Sequence, residues 1–308
     1  MKHYWNGNVA KWEKAFERLN RDIYFVMSYG ESMGMKGFYE CVDMIGRHPT
    51  WTLCIVTNLS FNPERLINSR LGQEKRVFLH PCWHPYGVKD RVAGWEIFKK
   101  HLLMLKEAGI PLHVLYLWWK PQIGLFPEYF RWLDAHDIRV NVRRFIETSG
   151  GFKLPLFGRK FGCKTALTNY TDAERSYLYA NTCPKVTKYG LDLVHTTGKT
   201  CSAGMDMFLV KYNGDVAYCA DLENNKCLGN IFSSDFKLST KPAKCISTFC
   251  GGDYGMLHLI DKDFPANPTW LPNEPFLTIA EELKEGHPVP YPNRVEMLKL
   301  LEKIKSES

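Results

Sequence analysis

Five apolar, β-rich runs punctuate the first half of the chain: IYFVMSYGE (23–31), WTLCIVTNL (51–59), KRVFLHPCW (75–83), PLHVLYLWW (111–119) and IRVNVRRFI (138–146). Most gaps between them hold a helix, and strand–helix–strand order makes neighbouring strands parallel. In one gap Trp95, Phe98, Leu102 and Leu105 recur at steps of three and four, and Gly109 stands where a helix C-terminal cap is expected. Pro127 opens the next helix, with Phe130 and Leu133 inward, and Asp137 releases the chain into the last strand. Continuous apolar strands predict a sheet covered on both faces, and right-handed crossovers leave an open sheet or a barrel. Either closure puts the site at the carboxyl ends of the strands.

Those ends are polar: Ser28-Tyr29-Gly30-Glu31, Thr57-Asn58, His80 through His84, then Arg143, Arg144 and Glu147. Alternation sets His80, Cys82 and His84 on one face of the third strand, a candidate metal face. Pro81 and Pro85 interrupt it, and no fourth ligand stands nearby.

Further along, Cys201 precedes Gly214 and Cys219, and Cys245 and Cys250 close the set. Asn213-Gly214 between alternating apolar residues reads as a hairpin turn. Its strand pairing is expected to bring Cys201 to Cys219, with Cys245 and Cys250 approaching from a loop. Four thiolates suit an iron–sulfur cluster or zinc. Buried thiols that bind nothing are the competing reading. Cys227 has no place in the frame and reads as a core cysteine, while Cys163 and Cys183 are reserve ligands.

A cysteine, a variable gap, a glycine and a four-residue step to the next cysteine resemble the twitch or SPASM auxiliary-cluster domain of radical S-adenosylmethionine (SAM) enzymes. The match covers about 60 residues and implies one auxiliary [4Fe-4S] cluster on Cys201, Cys219, Cys245 and Cys250. Gly30-Glu31, before a helix starting near Lys36, resembles the family's Gly-Gly-Glu-Pro motif, whose backbone and carboxylate meet the amino group of SAM. Tyr29 and Ser32 stand in place of the first glycine and the proline. The resemblance makes Gly30, Glu31, Asn58 and His84 the expected SAM contacts; in some members a His-Pro like His84-Pro85 borders the cavity. No Cys-x3-Cys-x2-Cys run occurs here: Cys41, the first cysteine, lies beyond the Gly-Glu strand. The segment from Tyr4 to Leu19 looks like the helix that follows that cluster loop. A start about 30 to 50 residues late, the size of one βα unit and its loop, is therefore expected, either in a truncated chain or in a degenerate relative that keeps the scaffold.

The fold expected is α/β, an incomplete (β/α)6 partial TIM barrel over 1–160 with a small C-terminal α+β cluster-binding domain at 201–260. A connecting segment, 161–200, holds a helix at 171–181 entered through Thr171 or Asp172. The extension 261–308 ends in a helix with Val295, Leu298, Leu301 and Ile304 on one stripe. An intact form would bind SAM and a second [4Fe-4S] cluster and modify a peptide, protein or small molecule by radical chemistry. The chain as written would not cleave SAM. The alternative is a non-catalytic four-cysteine zinc- or cluster-binding module on an α/β scaffold.

Composition fits a folded enzyme, with 9 Trp, 15 Tyr and 18 Phe to build a core. The first residues mix charges without an apolar stretch, so the ten cysteines are expected as reduced thiols in a cytoplasmic protein. No apolar run approaches about 18 residues, which argues against a membrane span. The net charge of +7 is dispersed, which gives nucleic acid no patch.

Overall fold

The computed structural model of the chain describes residues 8–28, 30–85, 87–144, 170–180, 188–189, 192, 194–219, 227–247, 250, 258–260 and 294–307. Tyr29, Glu147, Cys163, Cys183 and the side chains of Arg144, Val295 and Leu298 lie outside the described residues. Helix α1 (Val9–Glu17) leads into β1 (Tyr24–Met27), and a 3-10 turn at Ser32–Gly34 precedes α2 (Phe38–Arg47) and β2 (Thr52–Thr57). Two short helices, α3 (Glu64–Ile67) and α4 (Arg70–Gln73), come before β3 (Val77–Trp83). The long α5 (Arg91–Glu107), with Asp90 capping its start and Gly109 at positive φ past its end, leads to β4 (Val114–Trp118). Then come α6 (Lys120–Ile123), α7 (Phe126–Ala135), β5 (Val140–Arg144) and α8 (Asp172–Ala180).

All five strands run parallel in the order β1-β2-β3-β4-β5. Spatial order that repeats sequence order, with crossovers of one hand, puts every crossover helix on the same side of the sheet. This is the winding of a barrel. The register sorts the side chains accordingly. Leu53, Ile55, Val77, Leu79, Val114, Tyr116, Trp118, Val140 and Val142 are buried on the helix side. The opposite face carries Val26, Val56, His80, Cys82, His113, Leu115, Asn141 and Arg143, several of them partly exposed. Helices cover the outer face; the inner face mixes apolar and polar side chains, with Cys54, Phe78, His80 and His113 buried and Val56, Leu115 and Arg143 partly exposed, so the cover expected on both faces is partial on the inner side. The chain forms a partial α/β barrel with β1 and β5 at the sheet edges among the described residues.

A capping box closes the start of helix α8, and Glu174 and Tyr177 fasten the helix to the end of β4. The Thr171 N–H donates to Glu174 Oε2 at 2.8 Å, and the Glu174 N–H donates back to Thr171 Oγ1 at 3.3 Å. Lys120 Nζ meets both oxygens of the buried Glu174 carboxylate at 2.7 Å, and Tyr177 stacks on Trp118 at 4.9 Å.

The rest is small and antiparallel. Strands β6 (Thr200–Cys201), β7 (Leu209–Val210), β8 (Asp215–Ala217), β9 (Cys227–Asn230), β10 (Ala243–Lys244) and β11 (Leu259–Ile260) make two three-stranded sheets, β10-β6-β11 and β7-β8-β9. The last helix, α9 (Arg294–Glu307), docks on α8 and α7 with Leu301 and Ile304 buried. At the other end of the chain, α1 lies against the β7-β8-β9 region: Trp12 meets Phe232 at 4.5 Å, Arg18 donates to the Ile231 and Ser233 carbonyls, and Arg21 donates to the Met205 carbonyl at 2.9 Å. Among the described residues no helix is long and apolar enough to cross a membrane.

Candidate functional site

Gly30 turns the chain out of β1 at φ 70°, and open space surrounds the place of a Cβ, so its backbone conformation is what favours glycine there. Glu31 follows. Its carboxylate bridges two strand ends: Oε1 accepts from Thr57 Oγ1 at 2.7 Å and from the Met33 N–H at 3.3 Å, and Oε2 accepts from the Asn58 N–H at 2.7 Å. The parallel register that pairs Met27 with Ile55 sets both ends side by side. An ionised carboxylate offers about four acceptor positions, so three donors leave room for one more.

Gly30-Glu31 and Asn58, which lies 27 residues beyond Glu31 in the chain, thus meet. Asn58 contributes its backbone N–H, while its side-chain oxygen accepts from the Ser60 N–H at 2.9 Å. His84 directly follows the neighbouring β3 with an exposed side chain, and no hydrogen bond ties it to Glu31 among the described residues.

Of three further contributors, Thr57 stood in the sequence reading only as a polar strand end, and Leu59 and His101 carried no role there. Thr57, 2% exposed, bonds Glu31 and also accepts the Leu59 N–H at 3.0 Å. Leu59 is fully buried at φ 53°, a conformation that costs a non-glycine residue about 1–2 kcal/mol. The Leu59 carbonyl is held in turn by His101 Nδ1 of α5 at 2.7 Å. A signal existed: His101 interrupts the apolar stripe of Phe98, Leu102 and Leu105. On the rim, the Phe61 ring packs so closely on Gly34 that a Cβ there would stand 2.5 Å from it, joining the two loops a second time.

Below the rim, the His80 and His113 rings lie 4.2 Å apart. Burial, and for both the positive charge of Arg143, hold their pKa values well below the ordinary imidazole range. Burial likewise pushes the Cys82 thiol up to about 12, although Arg143 opposes it. The face of His80, Cys82 and His84 does not form a metal centre in this structure: among the described residues Glu13, Glu17 and His48 are the group whose three ligand atoms lie within 4.8 Å of one another. There Glu13 already pairs with Arg47 at 2.6 Å.

Cys201, Cys245 and Cys250 border one small cluster with Tyr189 and Leu259. Cys201 lies in β6, opposite Ala243 and Leu259, and the Cys245 N–H donates to the Lys199 carbonyl at 2.8 Å. Cys219 follows β8 in the other sheet. The expected pairing of Cys201 with Cys219 across the hairpin is corrected, because β7 begins only at Leu209, where it pairs with Ala217. The Cys227 side chain is exposed, not core, at the start of β9.

A partial parallel barrel with a carboxylate across its strand ends and small antiparallel sheets behind it has the fold of radical SAM enzymes that carry a SPASM domain. No family model and no curated protein matches the sequence. Solved structures do. SuiB of Streptococcus suis aligns over 73% of this chain and 57% of its own, with TM-score 0.52 and 15% identity. SuiB bound to S-adenosylmethionine gives TM-score 0.51 and 15% identity over 73% of this chain and 56% of its own. SuiB bound to the precursor peptide SuiA gives TM-score 0.51 and 16% identity over the same shares, 73% and 56%. The similarity is one of fold, and the chain spans a little over half the length of SuiB.

Proposed function

We propose that this chain is a radical SAM family protein that acts on a peptide, with the Glu31 shelf as the seat of the methionine end of SAM. The observation that carries the reading is the Glu31 carboxylate itself, fixed between two strand ends by Thr57 and Asn58 with one acceptor position to spare. An ammonium group is the natural fourth donor, since charge-assisted hydrogen bonds are the strong ones. Gly30 and Asn58 border the shelf, and His84 stands at the end of the next strand. When bound beside a reduced cluster, SAM supplies a carbon-centred radical that abstracts hydrogen. The sequence holds no Cys-x3-Cys-x2-Cys run for such a cluster, so the residues present account for binding and orienting SAM. A peptide substrate is supported by the fold shared with SuiB, which is described bound to the peptide SuiA.

Equilibrium dialysis with labelled SAM tests the shelf. Saturable binding is expected, weakened about 10- to 100-fold in Glu31→Gln, the worth of one charge-assisted hydrogen bond. Equal binding by the two folded proteins would remove Glu31 from the site.

Cys201, Cys219, Cys245 and Cys250 are proposed to hold one auxiliary centre, an iron–sulfur cluster or zinc. Soft thiols suit both metals, and three of the four already border one cluster of side chains. After anaerobic reconstitution, alanine at any of the four is expected to lower bound metal sharply, whereas Cys41→Ala and Cys227→Ala keep it. Elemental analysis of all six variants decides, and equal metal content throughout would sink the assignment.

A further inference from the structure

We infer that His101, on the outer helix α5, is a positioning residue for the Glu31 shelf. Its Nδ1 lies 2.7 Å from the Leu59 carbonyl oxygen, and the imidazole is 8% exposed. A carbonyl only accepts, so the Nδ1 atom carries the proton and donates. Leu59 is the residue directly after Asn58, and it stands at φ 53° fully buried. Left-handed backbone persists at a leucine only where the surroundings over-determine it. Here both of its polar groups are held: the N–H by Thr57 Oγ1 at 3.0 Å and the carbonyl by His101.

The same Thr57 oxygen donates to Glu31, and the preceding amide, that of Asn58, donates to the other Glu31 oxygen. His101, Leu59, Thr57, Asn58 and Glu31 therefore form one continuous set of hydrogen bonds from the outside of the barrel to its rim. Removing the imidazole leaves a buried carbonyl without its donor and releases Leu59 toward extended backbone. The peptide plane before Leu59 then turns, its N–H leaves Thr57 Oγ1, and the Thr57–Glu31 hydrogen bond that seats the carboxylate against the Asn58 N–H loosens. The inference deepens the SAM-shelf reading and rests on it for its functional meaning, while the geometry it asserts does not require SAM.

Nuclear magnetic resonance of the full chain tests it in three ways. In the wild type, the nitrogen shifts of His101 are expected to report the Nδ1–H form; a bare Nδ1 would overturn the inference with no variant needed. The Asn58 amide proton, bonded to a carboxylate, is expected far downfield; it moves upfield in His101→Leu and returns in His101→Asn, whose amide nitrogen replaces Nδ1. A purely structural role would shift the melting temperature of both variants without moving this resonance selectively, and an unmoved Asn58 signal in folded His101→Leu sinks the inference. SAM dialysis on the same proteins is expected to show roughly tenfold weaker binding in His101→Leu and recovery in His101→Asn, the effect of one lost hydrogen bond. Wild-type protein that binds no SAM would defeat the functional reading alone, since the Asn58 resonance still judges the positioning role. Binding by His101→Leu as tight as wild type would defeat the positioning role alone.

Discussion

Ser32 sits directly behind Glu31, fully buried, and its hydroxyl has no hydrogen-bond partner among the described residues. A buried hydroxyl left without a partner costs more than it contributes. Ser32→Ala is therefore expected to raise stability by about 1 kcal/mol, read from urea unfolding at unchanged slope; a loss of that size would reveal a partner for the hydroxyl. The contrast with Glu31 is instructive: adjacent polar side chains in one turn, one held by three donors and one stranded. Sequence alone ranked them by type and motif. Burial and partners came only with the parallel register that carries Thr57 and Asn58 to Glu31.

Gly214 closes the β7–β8 turn at φ 90°, and a Cβ there would stand 2.5 Å from the Phe232 ring. Gly214→Ala combines backbone strain with a clash and should cost more than about 1 kcal/mol, seen as a lower thermal midpoint. A midpoint equal to wild type would mean that the turn relaxes freely. Elements of this kind were legible because their signals are local: five apolar runs gave five strands, Gly109 and Pro127 marked helix boundaries, and Asn213-Gly214 marked a turn. The turn itself is wider than two residues, with Gly214 donating to the Lys211 carbonyl at 2.9 Å. The partner of Cys201 was not legible. Turns at Ser202 through Asp206 end its strand early, and its ladder neighbours Ala243 and Leu259 stand far along the chain, where no local pattern points. The partial cover of the inner face also escaped the reading, since Cys54, Val56 and Leu115 make it look as apolar as the outer one in sequence.

For the whole molecule, His80 and His113 set an acid limit. Both are held neutral in the folded chain: burial depresses the pKa of each, His80 then by the mutual repulsion its protonation would meet at His113 and by the Arg143 charge, and His113 by the charges of Arg143 and Arg139. The unfolded chain takes up protons near the ordinary imidazole value, about 6.5, before the folded chain does. Stability from this pair is thus complete above that pH and falls as the pH drops below it. Urea midpoints between pH 8 and pH 5 are expected to decline in the wild type and to decline less in His80→Phe; parallel curves would clear the pair of this role. The contacts of α1 with Ile231, Ser233 and Phe232 carry a different kind of consequence. Arg18 and Ile231 are 213 residues apart in the chain. A ribosome adding about 5–20 residues per second needs roughly 10–40 s to make that stretch. For that interval Trp12 and Arg18 wait on a nascent helix whose docking surface has not yet been synthesised, so the growing chain, rather than the finished one, is where an uncovered aromatic face meets the chaperones of the cell.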